Sequence, residues 1–333
     1  MLKLISIIKI GGIMKYIDHK VIKTAIGTFI SIYLAELLGI KFGVTAGVVT
    51  IISIQATKKE SLKIALERFI ASLIGLFIAV VFFEALGYTP FVFGIFILVF
   101  MPICLKFNLF QGFLATVVLA THILSLKTVS FDIVKNEIYI LLLGILVALI
   151  LNSYMPNMKK ELNEKRKNID LLMKTIINYF GDVLITGSVF IDEETLFKEL
   201  KSELDSARDI SFKEFNNDIF TGSREEIEFF QMKRSQYKVL LRMRNHFYRF
   251  YISSAHAHII SEFTRKVADA IGVDKLYREV LVELENVREI FKNMPLPQTR
   301  VEFESRAMLF QFLNDIEVFL EIKKDYMKKI KKP

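Results

Sequence analysis

The chain has almost no cysteine: one thiol, Cys104, in 333 residues. A single cysteine excludes a disulfide framework and a cysteine-built metal site, and inside an apolar run it reads as a small buried hydrophobe. The phosphate-cradling GxxxxGK[ST], a GxGxxG opening a helix and the GxSxG elbow are all missing, so nucleotide-driven transport and hydrolase chemistry lack their residues. His256 and His258 stand two apart, on different faces of a helix, with no third ligand nearby, and no metal site is expected there. The chain is therefore expected to be no enzyme and to need no cofactor.

Charge is scarce in one half, and long apolar runs are absent from the other. Residues 1–157 hold 13 Lys/Arg and 7 Asp/Glu, which leaves 31 of the 44 and 29 of the 36 for 158–333. The net charge of +8 and the pI near 9.3 do not make a nucleic-acid site, because the basic residues alternate with acids instead of gathering on one face. The excess lies beside apolar runs, as it does around membrane segments. A removable signal peptide is not expected in "MLKLISIIKIGG", which lacks a small-residue cleavage pattern; a start at Met14 or an interfacial helix fits equally well.

Six apolar segments precede Pro156, near 21–40, 43–57, 61–86, 90–106, 109–126 and 137–155. With about 20 apolar residues needed to cross a bilayer, they are expected to be six spans, and connectors such as "GYTP" and "KFN" make neighbours antiparallel. Lysines set the direction. Lys3, Lys9, Lys15 and Lys20, then Lys58, Lys59 and Lys63, then Lys106, then "KKELNEKRK" fall on one side. The other side receives Lys41, and Lys127 and Lys135 offset by Asp132 and Glu137. Both termini are expected to be cytoplasmic. Small residues four apart (Ala71, Gly75, Ala79; Gly112, Thr116, Ala120; Gly144, Ala148) mark faces where helix backbones can approach closely.

Ionisable groups inside spans are costly and tend to face a bundle interior or a wet cavity. Glu36, Glu84 and His122 fall toward the outer ends of spans one, three and five, while Gln55, Thr57 and Arg68 lie at the inner end. One scheme has Arg68 and the polar end of span two recruiting a cytoplasmic anion while the outer carboxylates exchange protons. Burial raises the pKa of a carboxyl, and histidine ordinarily titrates near neutral pH. Each residue also has a plainer reading: Glu84 in the headgroups, Arg68 snorkelling to the interface, His122 a satisfied structural histidine. The second span is the short one. Its roughly 22 Å at 1.5 Å per residue falls short of a core about 30 Å thick, and it can stop at Ser53, Gln55 and Thr57 only where protein or water meets its freed backbone groups.

From Asn157 onward helical periodicity takes over, with helices expected near 157–187, 192–216, 223–271, 273–293 and 299–330. Leu171, Leu172, Ile176 and Phe180 mark one apolar stripe, and Phe230, Tyr237, Leu240, Leu241 and Phe247 another. Basic and aromatic residues interleave in "KRSQYKVLLRMRNHFYRFY", a face expected to meet anionic lipid headgroups or to pack on its own stems.

Several stretches resemble one family. "TAIGTFISIYLAELLGI", "AGVVTIISIQATKKESLKIALERFIASLIG" and "LLLGILVALILNSYMPNMKKEL" resemble the six-span domain of the bacterial aromatic acid exporter family, member 1 type, which is related to the fusaric acid resistance proteins. "FFQMKRSQYKVLLRM" and "MPLPQTRVEFESRAMLFQFLNDIEVFLEIKK" resemble the C-terminal domain often attached to it, "PLPQTRVEFESRA" most specifically. The resemblance implies a plasma-membrane exporter of aromatic carboxylates driven by the proton gradient. Relatives often carry two membrane domains where this chain carries one, which implies a homodimer. The expected protein is all-α: a cytoplasmic segment 1–20, a six-helix transmembrane bundle 21–156 and a cytoplasmic helical bundle 157–333. Its partners are membrane lipid and a small anionic substrate, with no nucleic acid. The other class left open is a membrane scaffold or sensor whose cytoplasmic bundle binds a partner.

Overall fold

The computed structural model describes residues 19–155, 158–186, 192–218, 223–247 and 255–330, and every regular element among them is a helix. The N-terminal segment expected to be cytoplasmic lies almost wholly outside these residues. The chain divides into two compact units, Met1–Pro156 with Asn216–Thr221, and Asn157–Phe215 with Gly222–Pro333.

The first unit contains α1 (His19–Leu37), α2 (Val44–Ser53), α3 (Lys58–Leu86), α4 (Pro90–Lys106), α5 (Phe110–Leu126) and α6 (Phe131–Ser153). Helix starts follow from local chemistry. Thr89 accepts from the Val92 amide with Pro90 behind it, and Ser130 accepts from the Ile133 amide, each side chain meeting a backbone donor that the first helical turn leaves free. Six spans are expected from sequence, but only α3 and α6 are long and apolar enough to cross a membrane. The other apolar helices, α2, α4 and α5, are 10, 17 and 17 residues long, and α1 carries Lys20, Lys23 and Glu36.

The stripes of small residues face one another. α3 packs on α4, α5 and α6, α2 on α1 and α6. A Cβ on Gly112 of α5 would sit 2.8 Å from the Arg68 Cα and overlap the Ala71 Cβ, and one on Gly75 of α3 would sit 2.6 Å from the Phe100 Cζ and overlap Thr116. Ser72 and Thr116 share a hydrogen bond of 2.9 Å across the same seam. On the other flank a Cβ on Gly144 would meet the Ala46 carbonyl at 2.7 Å. Backbones this close gain dispersion contacts, which lipid does not otherwise supply a reason to form. An aromatic ladder of Phe93, Phe96, Phe100, Phe113 and Phe110, with centroids 5.3–5.8 Å apart, ties α4 to α5.

The second unit contains α7 (Lys159–Thr186), α8 (Glu193–Asn217), α9 (Glu225–Phe247), α10 (Ala255–Asp269), α11 (Asp274–Lys292) and α12 (Arg300–Ile330). Of the long helix expected over 223–271, α9 and α10 are helical, and residues 248–254 between them lie outside the described residues. The α7 stripe runs through Ile169, Met173, Ile176 and Phe180, all buried, with Leu171 64% exposed. Steps of four, three and four residues hold one face, and Leu171 falls off it. On α9, Phe230 and Leu240 are buried as the spacing predicts, and Lys233 stands on the same face, only 3% exposed. It pairs with Asp170 of α7 at 2.5 Å. The basic run around it is committed within the unit: Arg234 pairs with Asp205 at 2.9 Å, Arg242 with Asp315 at 2.6 Å, and Arg244 with Glu193. Phe247 is in α9, but its side chain lies outside the described residues.

Candidate functional site

Two polar clusters sit inside the first unit, one at each end. The first gathers where α2 stops. Helix α2 ends at Ser53 because Ile54 turns to an extended conformation (φ −77°, ψ 118°), and the last carbonyls of any helix need new donors. Three side chains supply them. Gln55 Nε2 donates to the Ile52 carbonyl at 3.2 Å, Arg68 Nη2 donates to the same oxygen at 3.2 Å, and Asn152 Nδ2 donates to the Ser53 carbonyl at 3.3 Å. Arg68 also donates through Nη2 to the Gln111 carbonyl at 3.1 Å and through Nη1 to the Ser53 hydroxyl. A cation at a helix C-terminus complements the dipole as well. Arg68 is 2% exposed, so it does not snorkel to an interface. It is the brace that lets a 10-residue helix end inside a bundle.

Three atoms of this cluster are buried with no hydrogen-bond partner among the described residues: Arg68 Nε, the Thr57 hydroxyl and Asn152 Oδ1. Asn152 otherwise donates to the Ser61 hydroxyl at 2.7 Å. The expected inner-end group is thus recovered in part: Arg68 and Gln55 share the Ile52 carbonyl as acceptor, and Asn152 and Ser53 join them. Arg68→Lys keeps the charge but replaces a planar fork by a point donor, and we expect it to lose about 1–2 kcal/mol, the range for two hydrogen bonds inside a membrane bundle. Thermal unfolding in detergent checks this; an unchanged midpoint would remove the brace.

The second cluster forms at the opposite end. His122 of α5 binds Glu137 of α6 through Nδ1 at 2.7 Å and Thr45 of α2 through Nε2 at 3.1 Å. Phe42 stacks flat on the imidazole, centroids 4.2 Å apart and planes 8° off parallel. Phe42 holds a left-handed backbone (φ 57°) in the turn between α1 and α2. That turn is clipped to α6 by Asn136, which accepts from the Lys41 amide at 2.9 Å, donates to its carbonyl at 3.0 Å, and also donates to Glu137 at 3.3 Å. Glu137 is wholly buried and His122 is 9% exposed. The triad accommodates either charge state of the ring. Neutral His122 with its proton on Nδ1 donates to Glu137 and accepts from the Thr45 hydroxyl. Protonated, it donates from both nitrogens and Thr45 becomes the acceptor.

The other two expected acids are elsewhere. Glu36 is exposed, one residue from the end of α1, and Glu84 is exposed near the end of α3, where the Tyr88 hydroxyl donates to it. Neither touches His122. Glu137, set down from sequence as a loop charge, is the buried acid, because α6 begins at Phe131 and not at 137. A signal was present. His122 lies four residues before the end of α5 at Leu126 and Glu137 six residues after the start of α6 at Phe131, close to the same level in an antiparallel pair.

An apolar helical unit with buried polar clusters at both ends, followed by a charged helical unit, defines the class of an integral membrane protein carrying a polar helical domain. The chain belongs to the aromatic acid exporter family. Residues 15–155 match the family model described as "Aromatic acid exporter family member 1", and residues 159–324 match "Putative aromatic acid exporter C-terminal domain". Among its relatives is the uncharacterized protein YqjA of Bacillus subtilis (strain 168), 31% identical over 318 residues, 95% of this chain and 97% of that one. A UPF0421 protein of Oceanobacillus iheyensis is 25% identical over 159 residues, 46% of this chain and 45% of that one. A crystal structure from Clostridium difficile 630, described as that of a "putative membrane protein", aligns with a TM-score of 0.45 at 24% identity, covering 50% of this chain and 99% of that one.

Proposed function

We propose that this protein is a proton-coupled secondary exporter of small organic anions, aromatic carboxylates in particular. It sits in the bacterial plasma membrane with α1–α6 as a six-helix membrane domain, in which α3 and α6 span by their own length and the shorter helices cross packed against them, and with both termini in the cytoplasm. It works as a homodimer, in which a second copy supplies the second six-helix set and the site lies near the repeat interface. Family membership supports the exporter class. The observation that carries the coupling is the sealed His122–Glu137 pair, since an ionisable pair inside a membrane bundle marks a proton or substrate path.

Under the lysine rule the Arg68 cluster is the cytoplasmic end and His122–Glu137 the outer end. The open donors, Arg68 Nε and the Thr57 hydroxyl, then line the entry for a carboxylate, and a proton arriving from outside is held between His122 and Glu137. The exposed Glu36 and Glu84 are left out of the coupling. Accumulation of labelled 4-hydroxybenzoate in cells lacking or overproducing the protein tests this. We expect less accumulation with overproduction and loss of that difference under a protonophore; equal accumulation under all conditions would reject export of this class.

A further inference from the structure

The second unit has a cavity of its own, about 370 Å³, among α7, α9, the start of α11 and α12. That volume lies within the range of pockets that enclose small ligands. Its walls combine two features. Phe229 and Tyr326 meet edge to face with centroids 5.9 Å apart, and Arg166 lies 4.0 Å over the Phe229 ring. Beside them are two lysines, Lys233 and Lys323, only 3% and 9% exposed.

The placement of charge is asymmetric. Each lysine is buried, and each has its carboxylate nearer to solvent. Asp170 holds Lys233 at 2.5 Å with its side chain 25% exposed, and Asp274 holds Lys323 at 3.0 Å with its side chain 71% exposed. Arg166 is taken by Glu226 at 2.9 Å. The lysines are therefore the buried members of their pairs and Asp170 and Asp274 the more exposed ones, and exposed Glu225 lines the same cavity. Burial pushes the Lys233 ammonium below the usual lysine range; Asp170 opposes the shift, and Lys323 and Arg166 add to it. Each cation has its own carboxylate, and of the three carboxylates Asp274 is the one most in water, so its pairing with Lys323 is the one a ligand displaces at least cost.

We propose that this cavity is a binding site for a small aromatic carboxylate. The carboxylate replaces Asp274 on Lys323, and Asp274, largely in water already, loses little on swinging out. The ring lies against Phe229 and Tyr326. The ligand class is read from these walls, so the site stands whether or not the membrane unit exports the same compound.

The test is calorimetric titration of the full-length protein in detergent with 4-hydroxybenzoate, 4-hydroxybenzamide as the neutral isostere, and acetate as the charge without a ring. We expect saturable binding of 4-hydroxybenzoate with Kd of about 1 mM or tighter, and none of the other two in that range. Lys323→Gln should weaken it about tenfold, the scale of one charge-assisted hydrogen bond. Asp274→Asn, a change at an exposed position, should tighten it about threefold by removing the competing carboxylate. A gain of affinity is not what a merely damaged fold would give. Equal binding of the amide, an unmoved Kd in Lys323→Gln, or no tightening in Asp274→Asn would overturn the proposal. Export in cells is not part of this readout, so failure of the export reading and failure of this site are distinguishable.

Discussion

Replacing Glu137 by glutamine is expected to return labelled hydroxybenzoate accumulation to the level of cells without the protein, while the protein is still made and folded. The substitution keeps shape and leaves the His122 Nδ1–H an amide oxygen to donate to, in place of the carboxylate 2.7 Å away. What it removes is the charge that balances a protonated imidazole in a dry interior. The triad can then no longer shuttle between its two hydrogen-bonding states, because protonating His122 would leave an uncompensated buried cation. The stability cost should be modest, about 1–3 kcal/mol for one perturbed buried hydrogen bond. Glu137→Ala, which leaves His122 without its partner, should cost more, about 3–5 kcal/mol if the pair is ionised. The pairing of outcomes is the check: export lost in both variants, folding largely kept in the first. Undiminished export by Glu137→Gln would take the pair out of the mechanism.

The second large effect belongs to packing. Gly112→Val should destabilise the membrane unit by about 3 kcal/mol or more, the upper end for overpacking a tight contact, and it should show as loss of folded protein in detergent extracts. The physical reason is the obstruction behind the glycine. Its Cβ would meet the Arg68 Cα at 2.8 Å and the Glu67 carbonyl at 3.1 Å, and both are backbone atoms with no rotamer to yield. Pushing α3 and α5 apart breaks the Ser72–Thr116 hydrogen bond and shifts Arg68, so the brace under α2 loosens too. Gly94 is the control. Nothing lies within 4 Å of its Cβ position, and Gly94→Ala should be neutral or stabilising by up to about 1 kcal/mol, the helix-propensity difference. Equal behaviour of the two variants would mean that the α3–α5 seam is not held by close approach.

Much of this was legible in the order of residues. Helix positions follow from local signals: the apolar runs, Thr89 with Pro90 and Ser130 at helix starts, and small residues spaced by four. Those stripes also announce that the helices touch, although not which stripe meets which. The expected inner-end residues Gln55 and Arg68 do come together, since both flank the point where α2 has to stop. Their task was misread in one respect. A single sequence shows that a short helix ends among polar residues, but not that the arginine about three turns into the next helix folds back to cap it.

What the sequence by itself determined is the division into an apolar half and a charged half, the all-helical character, and a family resemblance that the comparisons bear out. These depend on composition, periodicity and motifs, which are local. Only the tertiary structure decided which acid is buried. Glu36, Glu84 and Glu137 each lie within a few residues of a helix end, and from sequence Glu36 and Glu84 looked the better coupling groups. Burial of Glu137 depends on where α6 starts and on which face α2, α5 and the Phe42 turn close over it. The same holds for Lys233, which reads as one basic residue in a basic run. Its position on the core face of α9 opposite Asp170 makes it a buried cation, and pairing between distant helices has no counterpart in local pattern.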